Sequence, residues 1–210
     1  MDAPHPRLDD LIATLERLRA PGGCAWDREQ THASLVQYLV EETYELVEAI
    51  ESGTREELIE ELGDVLYQVL FHADIAAEAG EFTLEDVAEH MRRKMVARHP
   101  HVFGDAVAET ADDVVAAWDR LKSVEKAHRT SVLDGIPQAM PALALSDKLL
   151  GRAAKAGVDR AQREVPATEE ELGEQLLGMV AGARAAGLDS ERALRGALRR
   201  LQGDVRAAEG

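Results

Sequence analysis

Six acidic side chains crowd one stretch of this sequence. Glu41, Glu42 and Glu45 lie in VEETYELVEAI, and Glu60, Glu61 and Asp64 follow in IEELGDVLYQVL, with Ser52-Gly53-Thr54 between them. Both arms carry apolar residues three and four apart: Leu39, Leu46 and Ile50 in the first, Leu58, Leu62, Val65 and Val69 in the second. That spacing predicts two helices. Residues three apart share a helix face, so Glu42 points with Glu45 and Glu61 with Asp64. A short turn makes the helices antiparallel neighbours, and the two pairs can then meet. Four carboxylates at one place repel unless a cation sits among them. Ligands that are all oxygen select a hard ion, Mg²⁺ or Mn²⁺. Acidic runs on helices are also ordinary solvated faces. Against that stand the bulky residues interleaved with these acids (Tyr38, Tyr44, Leu62, Val65) and the two pairs flanking one turn. Pattern alone leaves both readings open.

The elements that must position this group read as follows. Arg7 to Arg19 forms a first helix on the stripe Leu8, Leu11, Leu15 and Leu18, ended by Pro21-Gly22-Gly23. A loop from Cys24 to His32 follows, and its Trp26 serves either as a plug over the core or as a stacking surface for a base. The second helix runs from about 33 to 52. The third runs from about 54 to 79, with Thr54 and Glu57 as a capping box and Gly80 closing it. Thr83 caps a fourth helix with Asp86 three residues on. Its basic end, including Lys94 and Arg98, either complements the helix dipole or grips phosphates. In His99-Pro100-His101 we read helix-end packing and capping rather than a metal site. A fifth helix, 112–127, puts Trp118 and Lys122 on one face, for a purine and a phosphate or as a core anchor beside an exposed cation. Residues 129–141, broken by Gly135, Pro137 and Pro141, are expected as a linker between a unit at 1–128 and a helical segment at 142–210.

Composition narrows the class. The chain is 45% hydrophobic but only 4% aromatic, so its core must be mostly Leu, Val and Ala, which favours an all-α fold. Residues 1–128 hold 28 acidic and 12 basic side chains, and residues 129–210 hold 12 of each. The whole charge of −16 therefore sits with the carboxylates, and no basic face for nucleic acid is expected. No apolar run is long enough for a membrane span, no signal peptide is evident, and the single Cys24 fits a reducing, cytoplasmic setting. Glu60-Glu61-Leu62-Gly63-Asp64 recurs as Glu170-Glu171-Leu172-Gly173-Glu174, each copy followed by an apolar stripe. We read the later part as a degenerate repeat that packs or dimerises without catalysing.

Five stretches together resemble the MazG family of nucleoside triphosphate pyrophosphohydrolases: Gly23 to Thr31 (GCAWDREQT), Glu41 to Glu45 (EETYE), Glu61 to Asp64 (ELGD), Lys94 to Phe103 (KMVARHPHVF) and Trp118 to Lys122 (WDRLK). The resemblance implies an all-α helical bundle that works as a homodimer or higher homo-oligomer. It implies hydrolysis of nucleoside triphosphates to monophosphate and pyrophosphate with Mg²⁺, Mn²⁺ being the other candidate. Glu42, Glu45, Glu61 and Asp64 would be the metal ligands. Lys94 and Arg98 would bind the triphosphate, Trp118 and Lys122 would complete the nucleotide site, and Trp26 is a further candidate contact. Either Glu41 or Glu60, each adjacent to a ligand, could take the proton from the attacking water, and Glu41 is preferred. Longer family members have two such domains, and the second is shortened here.

Two other classes compete. A di-iron carboxylate bundle needs inward Glu-x-x-His pairs. The chain has Glu29-x-x-His32 and Glu125-x-x-His128, the first in the expected loop and the second at a helix end. A non-enzymatic helical dimer that binds other proteins would show no pyrophosphate release and no stabilisation by Mg²⁺.

Overall fold

The computed structural model describes residues 5–108, 110, 113–114, 117–118, 121, 129–162 and 164–210. Every regular element among them is a helix: α1 (Pro6–Arg19), α2 (Ala25–Glu29), α3 (His32–Ser52), α4 (Arg55–Glu78), α5 (Leu84–Arg98), α6 (Pro100–Phe103), α7 (Ala142–Lys155), α8 (Glu169–Ala185) and α9 (Ser190–Glu209). None of these helices is long and apolar enough to cross a membrane. Of the expected fifth helix only Asp113, Val114, Ala117, Trp118 and Leu121 are described, and they are helical. The chain divides into two compact units, Met1–Asp119 and Arg120–Gly210.

In the first unit, local chemistry sets the helix starts. Thr31, Thr54 and Thr83 each accept a hydrogen bond from the backbone N–H three residues on. The side chains of Ser34, Glu57 and Asp86 accept in return, so two of the orphan N–H groups at each start are satisfied. Helices α3 and α4 form an antiparallel hairpin around Gly53. A Cβ at Gly53 would lie 2.7 Å from the Ala49 Cα, so only glycine lets the turn pass this close beneath the end of α3. Helix α1 packs on the hairpin through a core of Leu15, Leu35, Leu70 and Phe71, with Ile12, Tyr38, Tyr67 and Ile75 around it.

The expected loop at 24–32 is partly helical. Helix α2 fills its middle, and the Gln30 side chain donates to the Trp26 carbonyl. The physical reason is tertiary: Arg19, buried at the end of α1, donates to the Asp27 carbonyl at 2.6 Å and pins the turn from below.

The outer face of the hairpin remains apolar and exposed. Val36, Val40, Tyr44, Val47 and Ile50 line α3, and Ile59, Leu62, Leu66 and Val69 line α4. Both rows follow helical three-four spacing, so each is a continuous stripe.

In the second unit, α7 and α9 pack through Leu145, Leu149, Ala153, Leu198, Leu201 and Val205. Residues 129–141, expected as a linker, supply Leu133 and Ile136 to this core, and Arg195 holds the Gln138 and Met140 carbonyls. A buried leucine four positions before Pro137 and a buried isoleucine directly before it outweigh the glycine and prolines that suggested a linker. The repeated EELG stretches both lie in helices, the first in the second turn of α4 and the later in the first turn of α8.

Candidate metal centre

The hairpin brings three of the four expected ligands into one group. One carboxylate oxygen from each of Glu42, Glu45 and Glu61 lies within 4.8 Å of the other two, the only such group of three or more among the described residues. Asp64 is one helical turn beyond Glu61 on the same face. Its oxygens fall outside that group, yet its charge helps raise the carboxyl pKa of both Glu42 and Glu61. For Glu42 the larger cause is burial, followed by Asp64 and then Glu45. For Glu61 it is burial, followed by Glu45 and then Asp64.

The donor set fits a divalent ion. Glu61 Oε2 is buried and has no hydrogen-bond partner. None of the four carboxylates pairs with a lysine or arginine among the described residues. Buried anionic oxygen without a counter-charge is costly, and a hard cation supplies what is missing. An open cleft of about 320 Å³ runs beside Glu45 and Glu61 toward the turn at Ser52 and Gly53. An ion here would be reachable from solvent.

The raised carboxyls predict a pH dependence. The folded protein retains protons that the unfolded chain has already released, so stability falls as pH rises through the window from the ordinary glutamate range up to the raised folded values. Without divalent ions, the first unit should melt higher near pH 5 than at pH 7.5. Saturating Mg²⁺ should remove this difference, because the ion replaces the protons. Calorimetric scans at the two pH values, with and without Mg²⁺, measure both effects.

The other expected contacts are placed as follows. Glu41 and Glu60 are exposed on the helices beside the group. Lys94 is half-buried on α5. Arg98 is 7% exposed, with its guanidinium 5.4 Å from the centre of the Trp118 ring. Trp118 is half-buried and also meets the His99 ring edge-on at 5.0 Å. Lys122 lies outside the described residues. Trp26, for which a plug over the core is the favoured reading and a stacking surface the other, is 49% exposed and edge-on to Tyr38 at 5.6 Å. It therefore does not seal the core, and about half of its surface is open to solvent. His99 donates from Nδ1 to the Met95 carbonyl, the packing role expected for it.

Sequence reasoning missed three polar residues. Arg19 sits four positions after Leu15, on the apolar stripe of α1, and that placement was the available signal. Its guanidinium reaches Asp74 at 2.5 Å and Glu78 at 2.6 Å and lies over Phe71. Gln68 lies seven residues after Glu61 on the same face of α4, and its buried Oε1 also lacks a partner. His72 meets His32 across the hairpin.

An all-α unit with an acidic group in the seam of a helical hairpin is thus the class defined by fold and site. The model of the MazG nucleotide pyrophosphohydrolase domain matches residues 30–103, which span both arms of that hairpin. Three relatives extend the likeness. A nucleoside triphosphate pyrophosphohydrolase/pyrophosphatase MazG of Thermotoga maritima is 39% identical, covering 92% of this chain and 82% of its own. A nucleoside triphosphate pyrophosphohydrolase of Escherichia coli K12 is 36% identical over 97% of this chain and 87% of its own. An uncharacterized 26.1 kDa protein from the blaB 3' region of Streptomyces cacaoi is 50% identical over 100% of this chain and 85% of its own. The chain belongs to the MazG family, whose members are hydrolases of acid anhydrides.

Proposed function

We propose that this protein hydrolyses nucleoside triphosphates to the monophosphate and pyrophosphate in a Mg²⁺-dependent reaction, with loose base choice, and that it clears surplus or non-canonical nucleotides. The observation that carries the reading is the convergence of Glu42, Glu45 and Glu61, with Asp64 beside them, inside the stretch matched by the family. Glu42, Glu45, Glu61 and Asp64 hold the ion. A divalent ion held there would neutralise charge at the phosphates and lower the pKa of a bound water toward neutrality. Cleavage between the α and β phosphates needs in-line attack on the α phosphorus. In this reading Glu41 accepts the proton of the attacking water. Lys94 and Arg98 take the charge of the polyphosphate, and Trp118, Lys122 and the exposed part of Trp26 hold the nucleoside. The first unit is catalytic. Residues 142–210 form a degenerate copy that packs without catalysing.

The same reading includes a homodimer. The exposed stripes of α3 and α4 are half of a four-helix arrangement, and a second hairpin related by a two-fold axis covers them. The wild type should sediment at twice the chain mass. Tyr44→Glu combined with Leu62→Glu should sediment as a single chain, and an unchanged mass would refute this interface.

The reaction is tested by incubating the pure protein with the eight common ribo- and deoxyribonucleoside triphosphates, with and without Mg²⁺, and identifying products. Monophosphate plus pyrophosphate, only with Mg²⁺, is expected. Diphosphate plus phosphate would mean a different hydrolase, and no product with any nucleotide would favour the non-enzymatic alternative, a helical protein-binding dimer.

A further inference from the structure

The acidic group occupies one end of the α3–α4 seam, and two histidines meet at the other. His32, at the first position of α3, and His72, on α4, have their Nδ1 atoms 2.7 Å apart and ring planes within 3° of parallel. Neither takes part in the proposed hydrolysis. At that distance one Nδ1 must carry a proton and the other must be bare, so at least one imidazole is neutral. His32 is exposed, and the point where the two nitrogens converge can be reached from solvent. Burial and the neighbouring His32 both lower the pKa of His72, which keeps that ring uncharged at neutral pH.

Converging imidazoles from two helices are also a chelate. Imidazole nitrogen suits Zn²⁺, Ni²⁺ and Cu²⁺, whereas carboxylate oxygen suits Mg²⁺ and Mn²⁺. Two nitrogens each about 2.0–2.1 Å from one tetrahedral ion lie about 3.3 Å apart. The rings need only part by roughly half an ångström, and the exposed His32 has room to turn.

We propose that His32 and His72 form a second metal site, selective for borderline divalent cations, with two ring nitrogens and water as ligands. The ion displaces the Nδ1 proton to solvent and bridges the first turn of α3 to α4. It closes a 40-residue loop (|i−j| = 40) in the chain. Binding to the folded state alone stabilises that state. The two ends of the seam then sort ions by chemistry, hard ions at the carboxylates and borderline ions at the histidines.

The test is Ni²⁺ titration of the full chain, stripped of metal and held in excess Mg²⁺, by calorimetry and by thermal unfolding. One Ni²⁺ should bind per chain and raise the melting temperature by about 5 °C. His72→Asn should weaken binding at least tenfold and remove the melting shift. The exposed His32→Asn should do the same, which keeps the test decisive if the His72 variant folds poorly. Glu42→Gln should leave Ni²⁺ binding intact. No Ni²⁺ binding in the presence of Mg²⁺, unchanged affinity in both histidine variants, or loss in Glu42→Gln would each overturn the proposal.

Discussion

Replacing Glu61 by Gln should cut pyrophosphate release about a thousandfold, a loss of ~4 kcal/mol of transition-state stabilisation, while raising the melting temperature of the metal-free protein. The two effects have one cause. Burial and the charges of Glu45 and Asp64 push the Glu61 carboxyl upward, and its Oε2 has no donor. Glutamine keeps the shape, removes the charge and brings an amide N–H₂ that can donate to Glu42 or Glu45. Without an ion, like-charge repulsion falls and the hairpin gains. With substrate, one anionic ligand is missing from the group that must hold the ion. Opposite signs for stability and activity are the signature of a site built for a cation, and a purely structural carboxylate would not give it. Steady-state pyrophosphate release and a metal-free thermal scan on the same preparation read both. A variant that retains full turnover would refute the metal assignment.

Arg19→Met should destabilise the first unit by about 3 kcal/mol, lowering its melting temperature by roughly 10 °C. Arg19 is buried, and it joins the end of α1 to Asp74 on α4 and to the Asp27 carbonyl in α2. Its contact with Glu78 counts for little, since that side chain is 72% exposed. The cost comes from what methionine leaves behind: a carboxylate on Asp74 only 24% exposed and a carbonyl without its donor. Adding Asp74→Leu should recover part of the loss, because the pair can be replaced by apolar groups more cheaply than halved. Urea unfolding of the two variants measures the coupling. If Arg19→Met melts like wild type, α2 and the Trp26 face are held by something other than this cation.

Much of the candidate site is legible in the sequence. The three-residue spacing of Glu42 with Glu45 and of Glu61 with Asp64 puts each pair on one helix face wherever the helix goes. Thr54 and Glu57 start α4 through contacts three residues long, and Gly53 marks the turn. These features depend on helical periodicity and on hydrogen bonds between near neighbours, which the residue types dictate.

Other features rest on contacts between residues far apart in the chain. Whether Glu42, Glu45 and Glu61 share a space was decided by how α3 packs on α4, and Asp64 came to lie just outside the closest group. Arg98 reads from the sequence as complementing the end of its helix or gripping phosphates, and it is buried over Trp118, some 20 positions on. Trp26 is held open because Arg19 anchors the turn beneath it. His32 finds His72 at a separation of 40 residues, which no local spacing encodes. The sequence by itself determined that both arms of the hairpin are helices, where α4 begins, and which carboxylates point together. Only the tertiary structure decided which faces meet and which charges lose their water, because burial is set by all the packed elements at once.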